Sequence, residues 1–289
     1  MSESRGRLFR AALAAEQPLQ IVGTINAYCA LMAKRSGFQA LYLSGAGVAN
    51  ASYGLPDLGL TQLDDVLLDV IRITQICDLP LLVDIDTGWD DISQTIQYMI
   101  SAGVAAVHLE DQVPKKRCGH RPNKQLVSTE EMVERLKQAV AAKTDPDFMI
   151  IARTDALADE GIEAAIARAQ AYVAAGAEGI FAEAVTELEQ YQQFCSALDV
   201  PVLANMTEFG RTPLFTVDEL QAQGVAMALY PLSAFRAMNQ AALGVYRTLR
   251  ADGSQKQCLQ AMQDRETLYD FLDYHTHEQA VDQSLIKGD

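Results

Sequence analysis

The sequence lacks any long apolar segment. No stretch of its 289 residues approaches the roughly 18 uncharged apolar residues of a membrane span. The amino-terminal segment also lacks the apolar run of a signal peptide. We therefore expect a cytoplasmic protein with no membrane partner.

Basic residues are scarce. The chain has 23 Lys and Arg residues against 38 Asp and Glu residues, which gives a net charge of −15. Nucleic acid is therefore not an expected partner, because binding to phosphates needs a basic face. Proline is also rare, at 9 residues, and charged residues make up only 21% of the chain. This composition argues against disorder and favours a globular protein.

Cysteines are few and scattered. The five are Cys29, Cys77, Cys118, Cys195 and Cys258, and none of them forms a CxxC pair. An odd number without such pairs indicates reduced thiols in a cytosolic protein, not a disulfide framework or a zinc site.

Eight short apolar runs alternate with amphipathic stretches that have helical periodicity. The runs are 19–26, 40–45, 79–86, 105–111, 148–155, 178–185, 200–207 and 225–232. Strands separated by helices pair in parallel, and strands that are apolar almost throughout are covered on both faces. Gly37, Gly103, Gly176 and Gly224 each precede a run and are predicted to terminate helices.

These eight units predict an α/β fold, a (β/α)8 TIM-type barrel that forms a single domain over residues 1–289. A doubly wound open sheet is the alternative, but no GxGxxG motif follows the first run. Residues 253–289 follow the eight units and are predicted to be a C-terminal helical extension that packs on the barrel or on a partner subunit.

Polar residues gather at the ends of the predicted strands. Barrel enzymes carry their chemistry at these ends, and strand residues two apart face the same side. One such residue would be an ordinary loop contact, but an inert barrel has no use for the whole set. The set is Ser44, Asp84, Asp86, His108, Glu110, Arg153, Asp155, Glu183, Asn205 and Thr207.

Within this set, Asp84 and Asp86 give the most specific indication of a bound cation. Two carboxylates this close raise each other's pKa unless a cation lies between them. Mg²⁺ suits them because it binds one or two carboxylates and keeps several waters, which Asp57 and Glu110 would hold. The alternative is that the pair bonds to the backbone or to Arg153.

The segment "KKRCGHRP", residues 115–122, places Cys118 among cations. Neighbouring Lys, Arg and protonated His lower the pKa of a thiol, so Cys118 is suited to exchange a proton. The connection between the fourth run and the next helix is about 16 residues, a length typical of a lid. A solvated basic loop with an incidental cysteine is the alternative.

This segment resembles the signature loop of the isocitrate lyase / phosphoenolpyruvate mutase superfamily, and its cysteine is specific to the lyase branch. The resemblance covers almost the whole chain. It continues in "LSGAGVA", "GLPDLGL", "LLVDID", "HLEDQ", "ARTDA", "LANMTEFG" and "LYPLSAFRAMN".

The resemblance implies a lyase that depends on Mg²⁺, with Mn²⁺ as a substitute. It would cleave 2-methylisocitrate to pyruvate and succinate by retro-aldol chemistry, in the methylcitrate cycle of propionate catabolism. It also implies a homotetramer that exchanges C-terminal helices between subunits. The partner would thus be a small di- or tricarboxylate substrate.

The resemblance also implies residue roles. Cys118 would be the general acid, with Lys116 and His120 beside it. The metal would be held by Asp84 and Asp86, and through water by Asp57 and Glu110. The implied substrate contacts are Ser44, Gly45, Ala46, Cys118, Gly119, Arg153, Glu183, Asn205, Met206, Thr207, Arg236 and Arg265.

The segment "DIDTGWDDISQTIQ", residues 84–97, departs from the superfamily pattern. Asp90 stands where a second glycine is usual, the segment is a few residues shorter, and an Asn and an Arg are missing. Ala46 also replaces a commoner glycine. Three hypotheses therefore stay open: the lyase described above, a relative that acts on another dicarboxylate, and a non-catalytic binding protein.

Overall fold

The computed structural model describes residues 4–114 and 125–287. In these ranges eight parallel strands close into a barrel in the order β1 to β8, and β8 pairs with β1. The strands are β1 Leu19–Gly23, β2 Ala40–Leu43, β3 Leu81–Asp84, β4 Ala106–Glu110, β5 Met149–Thr154, β6 Gly179–Ala182, β7 Val202–Asn205 and β8 Met227–Tyr230.

Helices separate the strands. Those up to β8 are α1 Arg5–Ala15, α2 Ala27–Arg35, α3 Gly45–Gly47, a π-helical turn Val48–Ser52, α4 Leu63–Thr74, α5 Ile92–Ser101, α6 Thr129–Ala141, α7 Leu157–Glu160, α8 Ile162–Ala174, α9 Leu188–Ala197 and α10 Val217–Ala222. Those after β8 are α11 Ser233–Asp252, a 3₁₀ helix Lys256–Ala261, α12 Arg265–Phe271 and α13 Tyr274–Lys287.

The predicted barrel is confirmed, and the open doubly wound sheet is wrong. The four predicted helix-terminating glycines all have positive φ values, from 83° to 106°. At Gly103 the following residue, Val104, donates its N–H to the Met99 carbonyl at 3.0 Å, which closes the end of α5.

The chain divides into two compact units, Met1–Phe235 and Arg236–Asp289. The barrel lies in the first unit. Helices α12 and α13 lie in the second, within the predicted C-terminal extension. None of the helices in the described ranges is long and apolar enough to span a membrane.

The alternation of strand side chains produces two hydrophobic layers. Inward residues such as Tyr42, Leu82 and Met149 fill the barrel interior. Their outward neighbours, such as Leu41 and Val83, pack with the surrounding helices. The same alternation turns the polar side chains at the carboxyl ends of the strands inward, so that they form the barrel mouth.

Helix α1 covers the opposite end of the barrel. Its Phe9 is fully buried and belongs to the interior cluster with Leu19 and Ile21. Arg10 donates to the Asp147 carbonyl, which lies just before β5, at 2.8 Å. This end of the barrel, the barrel floor, is therefore closed by apolar side chains, and polar contacts at its edge hold α1 in place.

We expect Phe9→Ala to lower the free energy of unfolding by about 3–5 kcal/mol, because it opens a cavity in the floor. Chemical denaturation followed by circular dichroism measures the change. Phe209→Ala is the matched control, since Phe209 is 93% exposed. An equal loss of stability in the two variants would contradict this role of Phe9.

Candidate active site

Asp84 and Asp86 converge at the mouth beside Gly45. Both aspartates are buried, and Asp84 Oδ2 accepts the Gly45 N–H at 3.1 Å. A Cβ atom added to Gly45 would lie 3.1 Å from Asp84 Oδ2 and 3.1 Å from Asp86 Oδ1. The two carboxylates thus approach one point, and a larger residue at position 45 would require them to shift by a few tenths of an ångström.

The turn after β3 aims Asp86 at this point. Asp86 has φ 49°, in the left-handed region that Asp tolerates better than most residues. Its N–H donates to Asp84 Oδ1 at 3.0 Å, and its carbonyl accepts from the Glu110 N–H at 2.9 Å. The turn is therefore fixed on both sides, to β3 and to β4.

Hydrogen bonds from Asp91 and Trp89 hold the segment 84–97 in this structure. Asp91 caps α5 by accepting the Gln94 N–H at 3.0 Å. The Trp89 indole donates to the Thr61 carbonyl at 3.0 Å and joins the segment to the loop before α4. Asp86, Trp89 and Thr61 line a cavity of about 210 Å³ beside the aspartate pair.

His108 connects the aspartate pair with the far wall of the barrel. It is fully buried, and its Nε2 lies 2.9 Å from the Tyr42 hydroxyl and 3.7 Å from Asp84 Oδ1. Its ring also contacts Phe181 edge-on, with 5.1 Å between the ring centroids. His108 belongs to the predicted set of strand-end residues but had no predicted role, and Tyr42 was not predicted because it lies within an apolar run.

Arg153 lies among buried carboxylates. Its guanidinium donates to both oxygens of Asp155, at 2.9 and 3.1 Å. It also lies 3.5 Å from Glu110 Oε2 and 3.7 Å from Glu183 Oε2. Burial by itself would lower the pKa of Arg153, but these three carboxylates raise it well above its usual value. Arg153 is therefore a permanent positive charge in an acidic mouth.

The residues predicted on β6 and β7 lie beside this cluster. The Asn205 side-chain amide donates to Glu183 Oε2 at 3.2 Å. Thr207 is buried two residues after the end of β7. Met206, in contrast, packs its side chain in the outer core, so any contact from it to a substrate has to come from its backbone.

The remaining predicted residues lie elsewhere. Ser44 is buried at the start of α3 and Ala46 is half-buried, while Asp57 is half-buried in the loop before α4. Arg236 and Arg265 belong to the second unit. Lys116, Cys118, Gly119 and His120 lie outside the described residues.

A buried carboxylate behind the barrel wall was also missed. Asp111 accepts hydrogen bonds from Thr154 Oγ1 at 2.8 Å, from the Asp155 N–H at 2.9 Å and from the Tyr172 hydroxyl at 2.9 Å. Burial, with the nearby charge of Asp155, raises the pKa of Asp111. The motif "HLED" contains this residue, but the alternation of the strand gave no reason to place it near the site.

Residues 4–114 and 125–287 contain no group of three or more His, Cys, Asp or Glu side chains arranged to hold a metal ion. The aspartate pair supplies two carboxylates, and Glu110 faces Arg153. Among the described residues, a metal ion at this pair would need other ligands, such as water or substrate, to complete its coordination.

A closed (β/α)8 barrel with acidic groups and a buried arginine at its carboxyl-terminal mouth has the architecture of a barrel enzyme. Residues 9–250 match the model of the phosphoenolpyruvate phosphomutase family. The chain belongs to this family.

Individual relatives are similar over nearly the whole chain. A 2-methylisocitrate lyase of Escherichia coli (strain K12) is 62% identical over 289 residues, which cover 99% of this chain and 98% of that protein. A crystal structure of 2,3-dimethylmalate lyase is 32% identical, with a TM-score of 0.90 and coverage of 98% and 96%. A crystal structure of phosphonopyruvate hydrolase with oxalate and Mg²⁺ is 26% identical, with a TM-score of 0.86 and coverage of 98% and 100%.

Proposed function

We propose that this protein is a Mg²⁺-dependent lyase that cleaves 2-methylisocitrate to pyruvate and succinate, in the methylcitrate cycle of propionate catabolism. The observation that carries the proposal is the full-length similarity to a 2-methylisocitrate lyase. The mouth supports it, because it contains a carboxylate pair and a buried arginine. These two features provide separate places for a cation and for a substrate carboxylate.

The aspartate pair fits Mg²⁺. Asp84 Oδ2 and Asp86 Oδ1 approach one point, and Mg²⁺ binds through one or two carboxylates while it keeps several waters. Asp57 and Glu110 would hold such waters, and Mn²⁺ would substitute. A crystal structure of the relative phosphonopyruvate hydrolase contains oxalate and Mg²⁺, which supports Mg²⁺ as the metal here. When bound, Mg²⁺ would supply Lewis-acid stabilisation of negative charge on the pyruvate oxygen.

The residues around the pair would bind the two ends of the substrate. Ser44, Gly45 and Ala46 would hold the 2-hydroxy acid end through a hydroxyl and backbone amides, and Arg153 would bind its carboxylate. The residues proposed for the succinate end or for ordering the pocket are Glu183, Asn205, Met206 through its backbone, Thr207, Gly119, His120, Arg236 and Arg265.

Cleavage moves two protons. A general base removes the proton of the 2-hydroxyl, and the electrons of the C2–C3 bond pass to the succinate carbon. Cys118 would then protonate that carbanion, with Lys116 and His120 adjusting the pKa of the thiol. Residues 115–122 would exclude bulk water during this step.

We further propose that residues 1–289 act as one barrel domain with 253–289 as its helical extension, and that the protein is a cytoplasmic homotetramer with exchanged C-terminal helices. Helix α11 supports the exchange, because none of its residues is buried although it carries Met238, Leu243, Tyr246 and Leu249. Apolar side chains in such a helix are expected to be covered by another chain.

The test of the function is the release of pyruvate and succinate from 2-methylisocitrate, with isocitrate as the competing substrate. We expect cleavage in Mg²⁺, a preference for the methylated substrate, and loss of activity in EDTA. Faster cleavage of isocitrate, or full activity after metal removal, would contradict the assignment. Addition of Mn²⁺ to the EDTA-treated enzyme should restore activity.

We expect Gly45→Ala to weaken Mg²⁺ affinity about tenfold or more, because the new methyl group displaces carboxylates that hold the ion. A titration with Mg²⁺ alone, followed by the fluorescence of Trp89, measures this directly, since Trp89 is the one tryptophan of the sequence. Gly47→Ala is the matched control, because its methyl group would meet the Leu232 side chain and not the aspartates. Equal affinities in the two variants would exclude a site at the Asp84–Asp86 pair.

We expect Cys118→Ser to lower kcat by about 10²–10⁴-fold with little change in substrate binding, because serine is a far weaker acid. Steady-state kinetics and substrate binding by calorimetry separate the two effects. Cys195→Ser is the control, because burial raises the pKa of Cys195 to about 11 and makes that thiol inert. Near-normal turnover of Cys118→Ser would rule out the thiol as the acid.

A further inference from the structure

Asp111 is a fully buried carboxylate in the layer between the barrel and its helices. It follows the inward-facing Glu110, so its side chain points outward, toward α8. A carboxylate in such a layer is costly unless hydrogen bonds satisfy it. Three donors do so here, and an apolar side chain would fill the same place without needing them.

Two of the three donors belong to one short segment. These two, Thr154 Oγ1 and the Asp155 N–H, belong to the carboxyl end of β5 and lie 2.8 and 2.9 Å from the Asp111 carboxylate. The third, the Tyr172 hydroxyl, comes from α8 and lies 2.9 Å away. Asp111 therefore fixes the end of β5 to the helix behind it.

The end of β5 carries the ion pair of Arg153 and Asp155 at the mouth. Thr154 faces outward, and its neighbours Arg153 and Asp155 face inward. The Asp155 carboxylate accepts two hydrogen bonds from the Arg153 guanidinium, at 2.9 and 3.1 Å. The backbone of Asp111 adds a second connection, because its N–H donates to the Arg153 carbonyl at 3.2 Å.

We infer that Asp111, held by Tyr172, is a positioning residue that sets Asp155 and thereby orients the Arg153 guanidinium toward the substrate. It acts from behind the wall, without contact with the reacting atoms. The inference rests on the proposed function, in which Arg153 binds a substrate carboxylate. A shift of the β5 end would misdirect the guanidinium although the barrel remains folded.

The cationic side chain of Arg168 lies near Asp111 but beyond hydrogen-bonding distance. Arg168 Nη1 lies 3.9 Å from the Asp111 carboxylate, but the guanidinium of Arg168 is engaged with both oxygens of Glu160 at 2.7 Å. The hydrogen bonds, not this ion pair, therefore fix the orientation of Asp111. Shape and hydrogen-bonding capacity should matter more than charge at this position.

Two substitutions separate geometry from charge. Asp111→Asn keeps an oxygen for the Asp155 N–H, and its two N–H groups can donate to the hydroxyl oxygens of Thr154 and Tyr172, which donate in the wild type. We therefore expect nearly wild-type kinetics. Asp111→Ala removes all three bonds, and we expect the KM for 2-methylisocitrate to rise about tenfold or more with a smaller change in kcat. Tyr172→Phe should change KM in the same direction by less, and it serves as the test if Asp111→Ala does not fold.

The control is Asp69→Ala. Asp69 is also buried and accepts hydrogen bonds from Ser52 at 2.6 Å and Arg72 at 3.2 Å, but it lies on α4. We expect this variant to lose stability without a change in KM. An unchanged KM in both Asp111→Ala and Tyr172→Phe, or an equal rise in Asp69→Ala, would overturn the positioning role.

A second readout does not depend on activity. The Nε–H resonance of Arg153, assigned by its loss in Arg153→Lys, should shift in Asp111→Ala and stay in place in Asp69→Ala. If it does not shift in Asp111→Ala, the positioning role is wrong whatever the protein cleaves. If it shifts but the wild-type protein releases no pyruvate and succinate, the proposed function is wrong and the connection from Asp111 to Arg153 stands.

Discussion

The ion pair between Arg153 and Asp155 is the interaction on which the barrel mouth depends. Glu110, Glu183 and Asp155 are all buried, and ionised carboxylates in a poorly solvated interior need a compensating charge. Arg153 lies within 3.7 Å of all three and supplies that charge. Removal of this arginine would leave the charges of Glu110 and Glu183 uncompensated. Both the candidate site and the local fold therefore depend on this interaction.

The aspartate pair and the arginine occupy different parts of the mouth. Asp84 and Asp86 converge on one side, next to the amide of Gly45, and Arg153 lies with its own acids on the other. His108 lies between them, 3.7 Å from Asp84 and in edge contact with Phe181, over which Arg153 also packs. A substrate with carboxylates at both ends would thus meet a fixed guanidinium at one position and, in the proposed function, a cation held by the aspartates at another.

The outer face of the barrel wall also influences the groups at the mouth. Side chains alternate across each strand, so every inward position at the mouth has outward neighbours that touch the helices. At the end of β5 these neighbours are polar: Thr154 bonds to Asp111, and Asp111 bonds to Tyr172 on α8. The orientation of a group at the mouth is therefore determined partly by hydrogen bonds in the layer behind it.

The sequence by itself determined the barrel and much of the mouth. Runs that are apolar throughout, separated by helical periods, specify covered parallel strands, and a period of two places Asp84, Glu110 and Arg153 on the inner face. The same rule places Met206 on the outer face, because its neighbour Asn205 takes the inward position, and the structure confirms this. The local sequence pattern is sufficient to predict the direction of these side chains, because that direction depends only on the geometry of a single strand.

Only the tertiary structure decided which of these groups meet. The 3.1 Å approach of both aspartates to Gly45 joins the end of β3 with the loop after β2, and the bond from Tyr42 to His108 spans 66 residues of sequence. Tyr172 reaches Asp111 from a helix 61 residues away. Such contacts arise from the closure of the sheet and the packing of helices on it, and no periodicity within one segment encodes the distance between two segments.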